Sequence, residues 1–142
     1  MKACDLMTSH QVWVAADDTD VRHVAGMMAE HNVGAIPVLD NDGRLEGIIT
    51  DRDIACRVVS KGLSFETPVR KVMTADVKTV RPDTDLDEIE RIMQENHIRR
   101  LPVVDSENRL QGFISVGDLM HHCHGISYEH GLCELMDAVS AR

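Results

Sequence analysis

Ala35-Ile36-Pro37-Val38-Leu39-Asp40-Asn41-Asp42-Gly43-Arg44-Leu45-Glu46-Gly47-Ile48-Ile49-Thr50-Asp51-Arg52-Asp53 decides the fold, because residues 100–118 say it again. The second version is Arg100-Leu101-Pro102-Val103-Val104-Asp105-Ser106-Glu107-Asn108-Arg109-Leu110-Gln111-Gly112-Phe113-Ile114-Ser115-Val116-Gly117-Asp118. Each copy is a short apolar strand, a polar turn, and a second strand closing on a hydroxyl with a carboxylate three residues later. Asn41-Asp42-Gly43 is a hairpin signal, since Gly43 tolerates positive φ. Pro37 and Pro102 lack a ladder N–H and belong at a strand start or a sheet edge.

Outward from this stretch the match continues without a gap, Val12–Ile54 lying on Val77–Leu119. Asp18-Thr19-Asp20 falls on Asp83-Thr84-Asp85, and Met28 and Glu30 fall on Met93 and Glu95. Upstream, Leu6-Met7-Thr8 matches Val72-Met73-Thr74 after a one-residue adjustment. Thr19 and Thr84 stand where a helix N-cap is expected. Val21, Val24, Ala25 and Met28, and again Leu86, Ile89, Ile92 and Met93, recur at helical spacing and predict helices of about 13 residues. A shorter helix is predicted near Arg52 and near Gly117.

The repeats therefore predict an α+β fold of sandwich-like layering, two β-α-β-β-α units at residues 1–60 and 70–122. A linker, 61–69, carries Gly62 and Pro68, and a tail helix is expected over 123–142. One repeat is too small to support a core alone, so the two are expected to pack together about a pseudo-two-fold axis. Hydrophobic residues make up 43% of the 142 but aromatics only 3%, so the core must be aliphatic.

The net charge of −9 disfavours long nucleic acids and anionic membranes as partners, while a small phosphate-bearing ligand needs only a few local cations. Met1–Leu6 lacks the apolar stretch of a signal peptide, and no run approaches the ~20 apolar residues of a membrane span. Cys4, Cys56, Cys123 and Cys133 form no C-x-x-C pair and are expected to be reduced thiols. A cytoplasmic location is the expectation.

Gly47-x-x-Thr50-x-x-Asp53 and Gly112-x-x-Ser115-x-x-Asp118 are the residues best suited to chemistry. Each places a hydroxyl at a strand end and a carboxylate in the first helical turn, beside unpaired helix N–H groups. A carboxylate suits the vicinal hydroxyls of a ribose, and the hydroxyl with the helix start suits a phosphate. A helix cap would use the same residues, and a duplicated cap would look alike.

The repeat resembles a pair of CBS domains. The Met-Thr segments, the Asp-Thr-Asp helix starts, His97-Ile98-Arg99-Arg100-Leu101-Pro102-Val103-Val104-Asp105 and both Gly-x-x-Ser/Thr-x-x-Asp motifs carry the resemblance, over roughly residues 1–122. It implies a stand-alone regulatory module that binds adenosine-containing ligands (AMP, ADP, ATP or related molecules) in clefts between the two units. Asp53 and Asp118 would hold ribose hydroxyls, with Thr50 and Ser115 near ribose or phosphate. Ala35, Ile36, Pro37 and Arg100, Leu101, Pro102 would enclose adenine, with Val12 and Val77 completing the pockets. The resemblance also implies a flat homodimer; the effector protein it would signal to is unnamed.

The two clefts are not chemically alike. Arg52 and Arg57 follow the first motif, where the second copy has Gly117 and His122; Arg99 and Arg100 stand where the first copy has Gly34 and Ala35. Either set of cations could serve a phosphate, and each arginine could equally be a solvated surface charge.

His121, His122, Cys123 and His124, followed by His130 and Cys133, form a dense imidazole and thiol cluster. Zinc held by His121, Cys123, His124, His130 and Cys133, in a metal-binding or redox-linked stress protein, is the alternative function. An exposed polar helix end is the plainer reading, because the spacing matches no zinc finger. Leu132, Leu135, Met136 and Val139 make a helical stripe in the tail. No catalytic triad, P-loop or further carboxylate pair appears, so no enzymatic activity and no required cofactor are expected.

Overall fold

The computed structural model describes residues 1–123, the side chain of Cys123 excepted. Of the tail helix predicted over 123–142, Cys123 is the last residue of a described helix, and the rest, with His124, His130 and Cys133, lies outside the described residues.

The chain forms two compact units, and they do not follow sequence order. Trp13–Val77 makes one; Met1–Val12 and the chain from Lys78 on make the other. In the first, β1 (Ala15–Ala16) leads to α2 (Val21–His31), β2 (Ala35–Leu39) and β3 (Leu45–Thr50); a short helix α3 (Asp51–Asp53) then runs into a π-helical turn, Ile54–Val59. The second contains α1 (Ala3–Leu6), α4 (Leu86–Asn96), β4 (Arg100–Val104), β5 (Leu110–Ser115) and α5 (Val116–Cys123). The architecture is α+β, with the two predicted repeats.

Strand order in the Trp13–Val77 unit is β1-β2-β3, with β1 parallel and β3 antiparallel to β2. In the other unit β4 and β5 pair antiparallel, and the counterpart of β1 shrinks to one parallel bridge between Val80 and Val103. The registers match: Ala35 faces Thr50 as Arg100 faces Ser115, and both ladders bulge near the turn. Both turns hang on an aspartate. Asp40 Oδ1 accepts from Asp42 N and Arg44 N at 2.8 and 2.9 Å, and Asp105 Oδ1 from Glu107 N and Arg109 N at 2.9 and 3.0 Å. The left-handed position falls on Gly43 (φ 79°) and on Asn108 (φ 63°), an asparagine being the side chain that best tolerates it.

The long helices span 11 residues each and start one residue later than expected. The N-caps are Asp20 and Asp85, not Thr19 and Thr84. Asp20 accepts from His23 N at 2.7 Å, while the Thr19 carbonyl is taken by Val69 N. Each helix ends on a left-handed residue, Asn32 and His97, both at φ 53°.

The core is aliphatic in both units. Val24, Ile36, Val38, Ile49 and Val58 are fully buried in one cluster; Ile89, Met93, Leu101, Ile114 and Leu119 are fully buried in the other. At about 1.5–3 kcal/mol for each buried aliphatic side chain, these clusters are the main stabilising term. Each unit also takes in the Met-Thr segment that precedes the other repeat. Thr74 pairs with Ile48 through two 2.9 Å backbone bonds, and Thr8 pairs with Phe113 at 2.9 and 3.0 Å. Among the described residues no helix is long and apolar enough to cross a membrane.

Candidate functional site

Each motif sits where a strand gives way to a helix. Thr50 keeps extended geometry (φ −114°, ψ 161°) while Asp51 onward is helical, so its side chain caps the helix it precedes. Thr50 Oγ1 accepts from Asp53 N at 3.1 Å, and Asp53 Oδ2 accepts from Thr50 N at 3.1 Å. This is a reciprocal capping box. Ser115 and Asp118 repeat it, with Asp118 N to Ser115 Oγ at 3.2 Å and Ser115 N to Asp118 Oδ2 at 2.7 Å. The Ser115 hydroxyl also donates to Asp118 Oδ2 at 2.6 Å.

Capping consumes one oxygen of each carboxylate, and the second oxygens differ. Asp118 Oδ1 accepts from no described residue. Asp53 Oδ1 faces Arg57 Nε at 3.7 Å, and its Oδ2 lies 3.5 Å from Thr74 Oγ1. Asp53 is 9% exposed and is the only buried charged residue described, which explains why a guanidinium accompanies it. Arg57 further donates from Nη1 to the carbonyls of Val72 and Met73, both at 3.0 Å. Arg52, by contrast, is exposed and forms no ion pair among the described residues.

The strand partners complete each turn. Ala35 is the direct ladder partner of Thr50, and exposed Arg100 that of Ser115. Ile36 and Leu101 are fully buried, which commits their side chains to the core, and they pair in the ladders with Ile49 and Ile114. Pro37 and Pro102 are buried beside them. Val77 is half-buried in the unit of Thr50 and Asp53, whereas half-buried Val12 belongs to the unit of Ser115 and Asp118.

Thr74 is the site neighbour that spacing did not reveal. Its signal was the doubled Met-Thr segment, and the pressing partner is a glycine. A Cβ on Gly47 would stand 2.6 Å from the Thr74 carbonyl oxygen, and one on Gly112 would stand 2.6 Å from Met7 Sδ. Of the histidine cluster, His121 and His122 are exposed on α5, and His122 Nδ1 lies 2.9 Å from its own helix carbonyl, Asp118 O. Among the described residues no group of three metal-binding side chains converges.

A family model described as "CBS domain" matches residues 3–60 and again 69–125. The CBS domain-containing protein YhcV of Bacillus subtilis is 41% identical over 115 residues, 81% of this chain and 80% of that protein. Hypoxic response protein 1 of Mycobacterium tuberculosis is 31% identical over 138 residues, covering 96% of this chain and 92% of that protein. A crystal structure of Hypoxic Response Protein I with two coordinated zinc ions is similar at a TM-score of 0.78 and 29% identity, over 86% of this chain and 98% of that one. The structure of CBSX2 in complex with AMP gives a TM-score of 0.78 at 28% identity, over 88% and 97% of the two chains. With the repeat, the doubled strand-to-helix turn and these matches together, the chain belongs to the CBS domain family, carrying the domain twice.

Proposed function

We propose that the chain is a regulatory module that binds an adenosine-containing ligand at its hydroxyl-carboxylate turns and passes the occupancy on as a change of conformation or assembly. The carrying observation is the division of labour within Asp118: one oxygen caps α5 while the other accepts from no described residue. A cap needs only the first. A ribose diol is a pair of donors suited to the second. The AMP bound by the related CBSX2 supports the same chemical class. The module binds its ligand without turning it over, and a homodimer is its working form.

Calorimetry with AMP, ADP, ATP, NAD and S-adenosylmethionine tests the reading. We expect saturable binding of at least one of them, weakened roughly tenfold or more by Asp118→Ala or Asp53→Ala, the loss expected when a charged acceptor goes. No binding in the series, or binding indifferent to both substitutions, refutes it. Conversion of ATP by the purified protein would refute the non-enzymatic part.

The zinc in the related Hypoxic Response Protein I favours a second reading, in which the His/Cys-rich segment binds zinc. Metal analysis of protein purified without a histidine tag decides it. The reading requires stoichiometric zinc that is lost when His121, Cys123 and Cys133 are replaced.

A further inference from the structure

Arg57 serves three acceptors at once. Its Nη1 donates to Val72 O and Met73 O, and its Nε faces Asp53 Oδ1. Asp53 is in turn within 3.5 Å of Thr74 Oγ1. One guanidinium and one hydroxyl thus tie the carboxylate of the motif to residues 72–74, just before the chain leaves this unit after Val77. A local cause puts Arg57 there. Ser60 Oγ takes the Cys56 carbonyl at 2.5 Å, the Ser60 N–H falls back on Ala55 O at 3.0 Å, and the helix runs as a π-helix through Ile54–Val59.

Among its described residues the other unit has no such tie. His122 holds the position of Arg57 and turns to its own backbone, in an ordinary α-helix. No side chain among the described residues donates to the carbonyls of Leu6 or Met7. Side-chain exposure of 45% leaves Arg57 within reach of a ligand from solvent.

We infer that Arg57 is a positioning residue that couples an anionic ligand at the Thr50–Asp53 turn to residues 72–74, a coupling that the described residues of the other unit do not repeat. The inference rests on the proposed ligand reading of that turn and deepens it by naming where the occupancy leaves the site. A phosphate competes with two neutral carbonyls for one guanidinium. The guanidinium is charged in either arrangement, but only a phosphate returns a full negative charge and a second oxygen to its fork, so the phosphate takes it. The carbonyls of Val72 and Met73 are then released. Linkage makes the effect reciprocal: whatever frees residues 72–74 changes phosphate affinity by the same factor.

The test uses the isotopically labelled full chain, with AMP and adenosine as probes. We expect AMP to shift resonances of residues 50–53 together with the carbonyl carbons of Val72 and Met73. Exchange of the mutually bonded Ile48 and Thr74 amides should rise roughly tenfold, the scale of losing one hydrogen bond to a charged group. Adenosine, having no phosphate, should shift residues 50–53 only. Arg57→Met should show the faster exchange before any ligand is added, and AMP should add nothing to it. Arg57→Lys restores the charge but not the fork, so AMP affinity recovers in part while the carbonyl response stays lost.

A Val72 and Met73 response that survives in Arg57→Met overturns the coupling. So does wild-type protein in which residues 50–53 shift with AMP and those carbonyls do not. If neither probe moves residues 50–53, the ligand reading of this turn fails and the coupling falls with it. The tether is judged separately: unchanged Ile48 and Thr74 exchange in ligand-free Arg57→Met refutes it.

Discussion

Gly47 lies so close beneath Thr74 that a methyl group on its Cα would meet the Thr74 carbonyl oxygen at 2.6 Å. That oxygen accepts from Ile48 N, and Thr74 N donates to Ile48 O, so the contact is pinned from both sides. Neither backbone can yield without breaking the pair. Gly112 is the matching position, but its nearest obstacle is the flexible end of Met7, with the Thr8 carbonyl farther off at 3.0 Å.

Gly47→Ala is therefore expected to cost more than Gly112→Ala. Overpacking against fixed backbone costs about 1–3 kcal/mol, and the Gly112 variant should fall at or below the lower end because a methionine can change rotamer. Urea unfolding of both variants checks the order. Equal losses, or a larger loss at Gly112, would show that Met7 is held as firmly as the Thr74 backbone.

The second prediction concerns the β4–β5 turn. Asp105 has its carboxyl held below the ordinary aspartate value of 3.8, first by the Arg109 N–H, then by the Glu107 N–H and the Arg109 guanidinium. A carboxylate whose pKa is lowered by folding stabilises the fold above its ordinary value, and that contribution disappears as pH falls through the lowered one. Asp105 is half-buried, its side chain 27% exposed, and its partner Arg109 is 52% exposed, so salt screens the ionic part and leaves the backbone bonds as the durable part. An NMR titration should place Asp105 below 3.8. Asp105→Asn, which keeps an accepting oxygen, should preserve the turn better than Asp105→Ala. A normal titration, or equal behaviour of the two variants, counts against this account.

What could be read beforehand was whatever repeats in register. The β3 bounds Leu45–Thr50, both capping pairs and the aliphatic core follow from alternation, spacing and a doubled motif. The N-caps moved by one residue because Asp-Thr-Asp offers competing caps, and only the packed chain shows the Thr19 carbonyl already taken by Val69 N. Thr74 beside Asp53 was illegible for another reason. The contact spans 21 residues and joins one repeat's motif to the segment that introduces the next. The contrast of Arg57 with His122 stood in the sequence, but not the two carbonyls that Arg57 finds through a π-helical turn. Local pattern reports which residues differ; it does not report what they reach.

Trp13 and His31 provide a third prediction. Their rings stack at a centroid distance of 3.5 Å and an interplanar angle of 6°, and Trp13 remains 38% exposed. The imidazole covers one face of the chain's sole tryptophan. His31→Ala should bare that face, shift the emission to the red and lower stability by about 0.5–1.5 kcal/mol, the range for an aromatic pair. His31→Phe should retain most of both. Unchanged emission in His31→Ala would mean the stack does not persist in solution.

The two motif carboxylates should respond differently to the same substitution. In Asp118→Asn the amide oxygen can keep both Ser115 bonds, and no described cation loses a partner, so stability should change by no more than about 0.5 kcal/mol. In Asp53→Asn one amide atom must face Arg57 Nε or Thr74 Oγ1, and the guanidinium at 3.7 Å loses its anion. Asp53 is buried and Arg57 only partly exposed, so the loss is screened but not abolished, and about 1–2 kcal/mol is expected. Arg57→Met should remove most of the difference, because the charge that makes Asp53 special is then gone. A double-mutant cycle over Asp53 and Arg57 measures this directly. A coupling energy indistinguishable from zero would mean that the 3.7 Å approach carries no energy and that the two turns are equivalent caps.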